Sequence, residues 1–265
     1  MKIPLYQLDA FSDRPFEGNP AAVCPLETWL DDDVMQQIAA ENNLSETAFF
    51  VRAGEEGGFG LRWFTPVSEV DLCGHATLAS AWVILQRLAP DRESVRFATR
   101  SGELIVERGE GDFLVMDFPA RPAMSRDAPR ALVEGLGAEP ADVLASDRDY
   151  LVLLDAEDDV RRLKPDFTRL RGLDRLGIIV SAPGVSADFV SRFFAPSVGV
   201  PEDPVTGSAH CTLAPYWAER LGRGEAPLEA RQISARGGTL VCRHLGDRVT
   251  IAGRAALYLT GEIML

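Results

Sequence analysis

The sequence predicts an α/β chain of the α+β kind, built as two related halves, each a set of short strands around one buried helix. Three observations carry this reading: a long-range internal repeat, helical spacing of apolar residues inside each copy, and many short strand-like runs broken by turn-forming residues.

The repeat comes first. Arg62-Trp63-Phe64-Thr65-Pro66 reappears as Arg192-Phe193-Phe194-Ala195-Pro196, and His75 to Trp82 reappears as His210 to Trp217, in the same order. From Arg to His the first copy spans 13 positions and the second 18. The extra residues fall in Val198 to Pro204, read as loop-formers. After each histidine, apolar residues recur at helical spacing: Leu78, Ala81, Trp82 and Leu85, then Leu213, Tyr216, Trp217 and Leu221. Each half therefore reads strand, turn, buried helix.

The remaining elements are mostly short. Strand-like runs cover Thr47 to Val51, Leu104 to Glu107, Phe113 to Phe118, Tyr150 to Leu154, Gly177 to Ser181 and Val249 to Ala252, and Val34 to Ala40 is helix-like. Pro119-Ala120-Arg121-Pro122-Ala123 resembles a linker, because two prolines in four residues remove backbone donors. Residues 1–118 with 254–265 are expected to form an N-terminal domain with a central helix from about 74, the strand-like end of the chain returning to its sheet. Residues 119–253 are expected to form the second, with a central helix from about 207.

Composition excludes several classes. Hydrophobic residues make up 46% of the 265 and charged ones 25%, which suits a chain with a real core. Forty acidic against 27 basic side chains give a net charge of -13, which repels a phosphate backbone, so nucleic acid is not an expected partner. No segment approaches the roughly 20 uninterrupted apolar residues of a membrane span, and Met1-Lys2 leads straight into a strand-like run rather than a signal peptide. A cytoplasmic protein with no membrane partner is expected. The four cysteines show no CxxC pairing and are read as reduced.

Chemistry is expected where glycine-bearing turns run into the two helices, at Gly74-His75 and Gly207-Ser208. Unpaired N–H groups and the positive helix end face whatever lies in front, which suits an anion. The same glycines would also serve two core helices that bind nothing, His75 would serve as a helix-start polar residue, and Asp203 ahead of its helix would be favoured by the dipole in any case. Glu46 opens an apolar strand run. No HxxxH, HExxH, P-loop or strand-borne GxGxxG occurs, so neither a metal nor a nucleotide cofactor is expected.

Read together, Asp9-Ala10-Phe11 with Gly18-Asn19-Pro20-Ala21-Ala22-Val23, then Asn43 to Phe49, Leu72 to Thr77, and Glu202 to His210, resemble the phenazine biosynthesis PhzF-like family. That family shares its fold with diaminopimelate epimerase and proline racemase. The resemblance implies two pseudo-symmetric domains, each a mixed, barrel-like sheet around a central helix, with the active site between them, and a homodimer. It implies a cofactor-independent isomerase acting on a small carboxylated substrate, of the dihydro-hydroxyanthranilate type in its best-known member. Glu46 matches the acid/base that takes a proton from one carbon and returns it to another. His75, Asp203 and Ser208 match residues holding the substrate's polar groups, Asn19 and Ser45 match residues lining the site, and Gly74 and Gly207 would offer N–H groups to a carboxylate.

Cys73 directly precedes Gly74-His75, as a cysteine does in thiol-dependent racemases of this fold, so a racemase or epimerase using Cys73 as base is the first alternative. Those enzymes need a second, facing cysteine, and the repeat pairs Cys73 with Ser208 or, in a shifted register, with Thr206. A non-catalytic binding protein on the same fold is the second alternative, against which stand Glu46, His75 and Asp203 together. The purified protein is expected to contain no stoichiometric metal, flavin or nucleotide; elemental analysis finding one transition metal per chain would contradict this.

Overall fold

The computed structural model describes residues 1–53 and 58–265. The chain divides into two compact units, residues 1–117 with 252–265 and residues 118–251. The first begins with β1 (Lys2–Ala10), β2 (Asn19–Leu26), α1 (Asp32–Asn42), β3 (Glu46–Ala53), β4 (Gly58–Phe64) and β5 (Glu69–Val70). It continues through α2 (Gly74–Val83), β6 (Ser94–Thr99) and β7 (Gly102–Arg108) to β8 (Leu114–Pro119), which reaches the division. The second contains β9 (Met124–Ser125), α3 (Arg130–Leu136), β10 (Asp142–Ala145), β11 (Asp149–Leu153), α4 (Glu157–Arg162), α5 (Phe167–Leu170) and β12 (Gly177–Pro183). After these come β13 (Phe189–Ala195), β14 (Val200–Asp203), α6 (Gly207–Arg220), β15 (Leu228–Gln232), β16 (Gly238–Leu245) and β17 (Arg248–Gly253), and the last strand, β18 (Ala255–Met264), belongs to the first unit.

The two units repeat one topology. In the first, the strands run β18, β1, β2, β3, β4, β6, β7, β8, with β2–β3 and β4–β6 parallel and the other neighbours antiparallel. In the second, they run β9, β10, β11, β12, β13, β15, β16, with β11–β12 and β13–β15 parallel. A parallel pair needs a crossover. Helix α1 supplies the first and α2 the second in one unit; α4 with α5, and then α6, do so in the other.

The second crossover helix of each unit is its core. Eight of the ten residues of α2 are buried, and it packs against β1, β2, β3 and β18. Polar side chains on a helix this buried need partners inside the protein. Thr77 and Ser80 answer this by donating their hydroxyls back to the carbonyls of Cys73 and Ala76. Helix α6 packs against β11, β15 and β16. Its Pro215 lacks the N–H that would bond Cys211 O, and the Arg121 N–H takes that carbonyl at 2.9 Å. The linker-like stretch is therefore fastened to the second unit, as Ala120 N–H also donates to Asp247 O at 2.8 Å.

The repeated arginine explains the repeated sequence block. Arg62 clamps Glu69 with two hydrogen bonds of 2.7 and 2.8 Å and lies 5.2 Å over Phe64. Arg192 clamps Glu202 at the same two distances and lies 5.0 Å over Phe194. Each bidentate pair ties the strand before a central helix to the short strand that follows it. Two expectations are corrected here. The stretch from Val198 to Pro204 is not simply loop, since Val200–Asp203 pairs with β13 through a bulge; the Arg192–Glu202 clamp holds that strand. Leu221 is not on the buried face, because it caps the end of α6 and is 40% exposed.

One carboxylate is buried without aligned partners. Asp149 is 0% exposed at the start of β11, opposite Gly177 of β12, where a Cβ would stand 2.4 Å from Asp149 Oδ1. Neither of its oxygens has an aligned hydrogen bond, although the Gly177 N–H faces them, and Arg148 Nε is 3.8 Å away. Burial pushes this carboxyl up from 3.8 to about 6, against the pull of Arg148 and Arg121. The folded-state value exceeds the unfolded one, so the stabilisation is complete below 3.8 and lost as pH rises through about 6. Above that, ionised Asp149 costs up to about 3 kcal/mol. Asp149→Asn removes the cost, so urea unfolding is expected to favour the variant increasingly between about pH 4 and a little above about pH 6, by at most about 3 kcal/mol, and to change no further at higher pH. A difference that does not change with pH would contradict it.

Candidate active site

The first unit gathers Asn19, Glu46, Cys73 and His75 from three stretches of chain. Asn19 opens β2, Glu46 opens β3, Cys73 is the N-cap of α2 and His75 lies in its first turn. The parallel register sets Ala21 opposite Glu46, so Asn19 lies just before that level of the sheet. The turn preceding Asn19 requires glycine: Gly18 has φ +69, and a Cβ there would lie 2.2 Å from Ala10 O. Buried Asp9 fixes the same turn by accepting the Phe16 N–H at 2.8 Å. Ahead of Glu46, Asn43 closes α1 in the left-handed conformation, its N–H donating to Ala39 O, and β3 starts three residues later.

His75 is the centre of the cluster. Its Nε2 is 3.0 Å from Glu46 Oε2, and its Nδ1 is 3.3 Å from Asn19 Nδ2 and 3.4 Å from Cys73 Sγ. His75 is 5% exposed and the Glu46 side chain 18%. The Glu46–His75 contact is close but not aligned as a hydrogen bond, since neither Oε2 nor Nε2 has a well-directed partner. We read it as an ion pair whose two facing atoms can turn towards a ligand.

Burial disfavours charge on the His75 ring, but Cys73 and the Glu46 carboxylate favour it and prevail, holding its titration well above the ordinary imidazole range. The Cys73 thiol is itself pushed up, by burial first and by Glu46 second. At neutral pH the sulfur therefore keeps its proton, and with the sulfur neutral only the Glu46 carboxylate still favours charge on the ring. The start of a helix disfavours a cation by about 0.3–1 kcal/mol, whereas an ion pair at this separation is worth about 5 kcal/mol at an effective dielectric near 20. The pair wins. A charged ring carries N–H on both nitrogens, so Asn19 then turns its carbonyl oxygen to Nδ1, the two ends of an amide being alike in shape.

The second unit holds its expected residues in another way. Asp203 ends β14 and accepts the Thr206 hydroxyl at 2.5 Å. Gln232 accepts the Thr206 N–H at 2.8 Å and donates to Asp203 O and to Thr206 Oγ1. Gly207 and Ser208 form the first turn of α6, whose N-cap is Thr206. Sequence reasoning missed Thr206 and Gln232 as positioning residues. The Asp203-x-x-Thr206 spacing ahead of a helix was a usable signal, whereas nothing local marks Gln232. Ser45 is half-buried beside Glu46 in sequence.

The histidines of the repeat have parted. His210 is buried against Phe189, its Nδ1 bonded to Thr206 O at 2.8 Å, and burial lowers its titration to about 4. It is a neutral core residue. Helix starts pair Gly74 with Gly207 and thus Cys73 with Thr206, so the first turn of α6 offers no thiol; Cys24, Cys73, Cys211 and Cys242 are all buried and unbridged. A hollow of about 420 Å³ in the second unit, between Leu136 and Lys164, contains none of these residues and has no evident chemistry.

Comparisons with known proteins give the family. The description of the phenazine biosynthesis-like protein family matches residues 8–261. The chain belongs to that family. It is 57% identical over 265 residues to an uncharacterized isomerase of Pseudomonas aeruginosa, with 100% of both chains covered. A PhzF family protein of Enterococcus faecalis, known from its crystal structure, is 45% identical and superposes with a TM-score of 0.95 over 100% of both chains. A hydroxyproline epimerase of Agrobacterium vitis, 12% identical, matches with a TM-score of 0.65 over 99% of this chain and 91% of its own, which shows the shared epimerase-like fold. Family membership supports a function of the isomerase or epimerase type. Among the described residues, no helix is long and apolar enough to cross a membrane.

With three histidines in the chain, ring titrations can be followed one by one in ¹⁵N-labelled protein. His75 is expected to stay charged well above the ordinary range and Glu46→Gln to bring its titration down, while His210 stays neutral to about 4. A His75 ring that is neutral at pH 7 in the wild type would contradict the ion pair.

Proposed function

We propose that the protein is a cofactor-independent isomerase that moves a proton within a small carboxylated substrate, with Glu46 as the acid/base. The observation that carries this is the Glu46 carboxylate, largely withdrawn from water and held 3.0 Å from the His75 ring. Glu46 takes a proton from a carbon whose C–H electrons pass into the substrate's π system, and the resulting carboxylic acid returns it to another carbon of the same system. The imidazolium beside it stabilises the negative charge that develops in between. The N–H groups at the start of α2, around Gly74, suit the substrate carboxylate. Asn19 and Ser45 complete the binding set from the first unit. Asp203, Gly207 and Ser208 are assigned to substrate binding because they fall in the family's motif, and Thr206 and Gln232 keep Asp203 in place.

The competing reading uses the Cys73 thiol as base, and its support is the 3.4 Å contact with His75. Against it, the thiol holds its proton and the start of α6 offers Thr206 rather than a second cysteine.

Hydrogen exchange separates the two. A dihydro-hydroxyanthranilate in deuterated water is expected to exchange its acidic hydrogen when the wild-type protein is added, as followed by NMR. Glu46→Gln keeps the shape but cannot accept the proton, so exchange is expected to slow on the order of 100-fold to 10,000-fold. Cys73→Ser is expected to slow it far less. Exchange that survives Glu46→Gln and vanishes in Cys73→Ser would overturn the proposal in favour of the thiol.

A further inference from the structure

The same cluster has a property that proton transfer does not require. Glu46, Cys73 and His75 each offer one ligand atom within 4.8 Å of the others. We propose that these three side chains form an exchangeable binding site for a thiophilic divalent cation of the zinc class, and that its occupation inhibits the enzyme. The inhibitory half rests on Glu46 being the acid/base; the binding half does not.

The donor set is chemically selective. A thiolate, an imidazole and a carboxylate suit zinc, cadmium or cobalt, whereas magnesium and calcium require oxygen ligands. Ligand atoms around a tetrahedral zinc lie about 3.5 Å apart. Cys73 Sγ and His75 Nδ1 are 3.4 Å apart, and His75 Nε2 and Glu46 Oε2 are 3.0 Å apart. Those contacts use opposite nitrogens of one ring, so a single ion takes one nitrogen and the donor on the other side rotates in. Glu46, with three side-chain torsions, is the more adaptable. Its Oε2 and His75 Nε2 are buried without aligned hydrogen-bond partners, so no well-directed hydrogen bond has to be broken at either atom.

The cost of entry makes the site exchangeable. Three protein donors leave the fourth position to water. Binding requires the sulfur and the ligating ring nitrogen to be free of protons, with no change in oxidation state, so affinity rises with pH. A cation held there occupies the carboxylate that would otherwise receive the substrate's proton. No linear motif announces the site, because 26 residues of chain lie between Glu46 and Cys73.

The test is titration of the full chain, first freed of metal by a chelator, with cadmium and cobalt salts. One ion per chain is expected, with a thiolate-to-metal absorption band, no response to magnesium, and tighter binding at higher pH. Cys73→Ser is expected to abolish the band, and Glu46→Gln, which keeps every thiol, to weaken binding at least about tenfold. A wild-type protein that gives no band, a band of equal strength in Cys73→Ser, or unchanged affinity in Glu46→Gln would each overturn the site. These outcomes leave the role of Glu46 in proton transfer to its own exchange experiment. Zinc is further expected to suppress that exchange in competition with the substrate; binding that leaves exchange untouched would overturn the inhibitory half and count against Glu46 as the base.

Discussion

A carboxylate and an imidazole held 3.0 Å apart with little access to water must settle their charge between themselves. Removing one partner of such a pair typically costs 3–5 kcal/mol, because the other is left buried and uncompensated. Much of the first unit serves this contact. The parallel pairing of β2 with β3 sets the level at which Glu46 enters, and the left-handed Asn43 ends α1 so that β3 can begin there. The Gly18 turn delivers Asn19 to the far side of the ring. Helix α2, buried all round, lets the imidazole move little.

Duplication kept the scaffold and divided the chemistry. Both units place a helix between parallel strands and clamp the preceding hairpin with an arginine stacked on a phenylalanine. At the helix starts they differ. One has Cys73, His75 and the Glu46 carboxylate; the other has Thr206 and an aspartate secured by Gln232, with its histidine sunk in the core as a neutral ring. A catalytic group needs to be paired but accessible, and only the first unit's histidine lies beside a carboxylate that is itself partly exposed.

Much of this was legible in the sequence where the signal was local. The Arg62 and Arg192 blocks and the apolar spacing behind His75 and His210 marked the duplicated strand-helix units, because helical periodicity survives without knowledge of neighbours. Strand β14 was not legible: its residues are turn-formers by composition, and what makes them a strand is Glu202 reaching Arg192 across the hairpin. How α6 accommodates Pro215 was not legible, since the Arg121 N–H that takes the freed carbonyl of Cys211 lies 90 residues before Cys211 in the chain. The Glu46–Cys73–His75 cluster was legible as separate motif residues but not as a donor set, because spacing rules register ligands only when they are neighbours in sequence.

The central claim is that the carboxylate of Glu46, and not the sulfur of Cys73, meets the substrate carbon. A crystal structure of the protein with a non-reacting carboxylate analogue bound tests it most directly. The account predicts the reacting carbon in contact with Glu46 and the analogue's polar groups reached by His75. A carbon seated against Cys73 Sγ, with Glu46 turned away from the ligand, would contradict it.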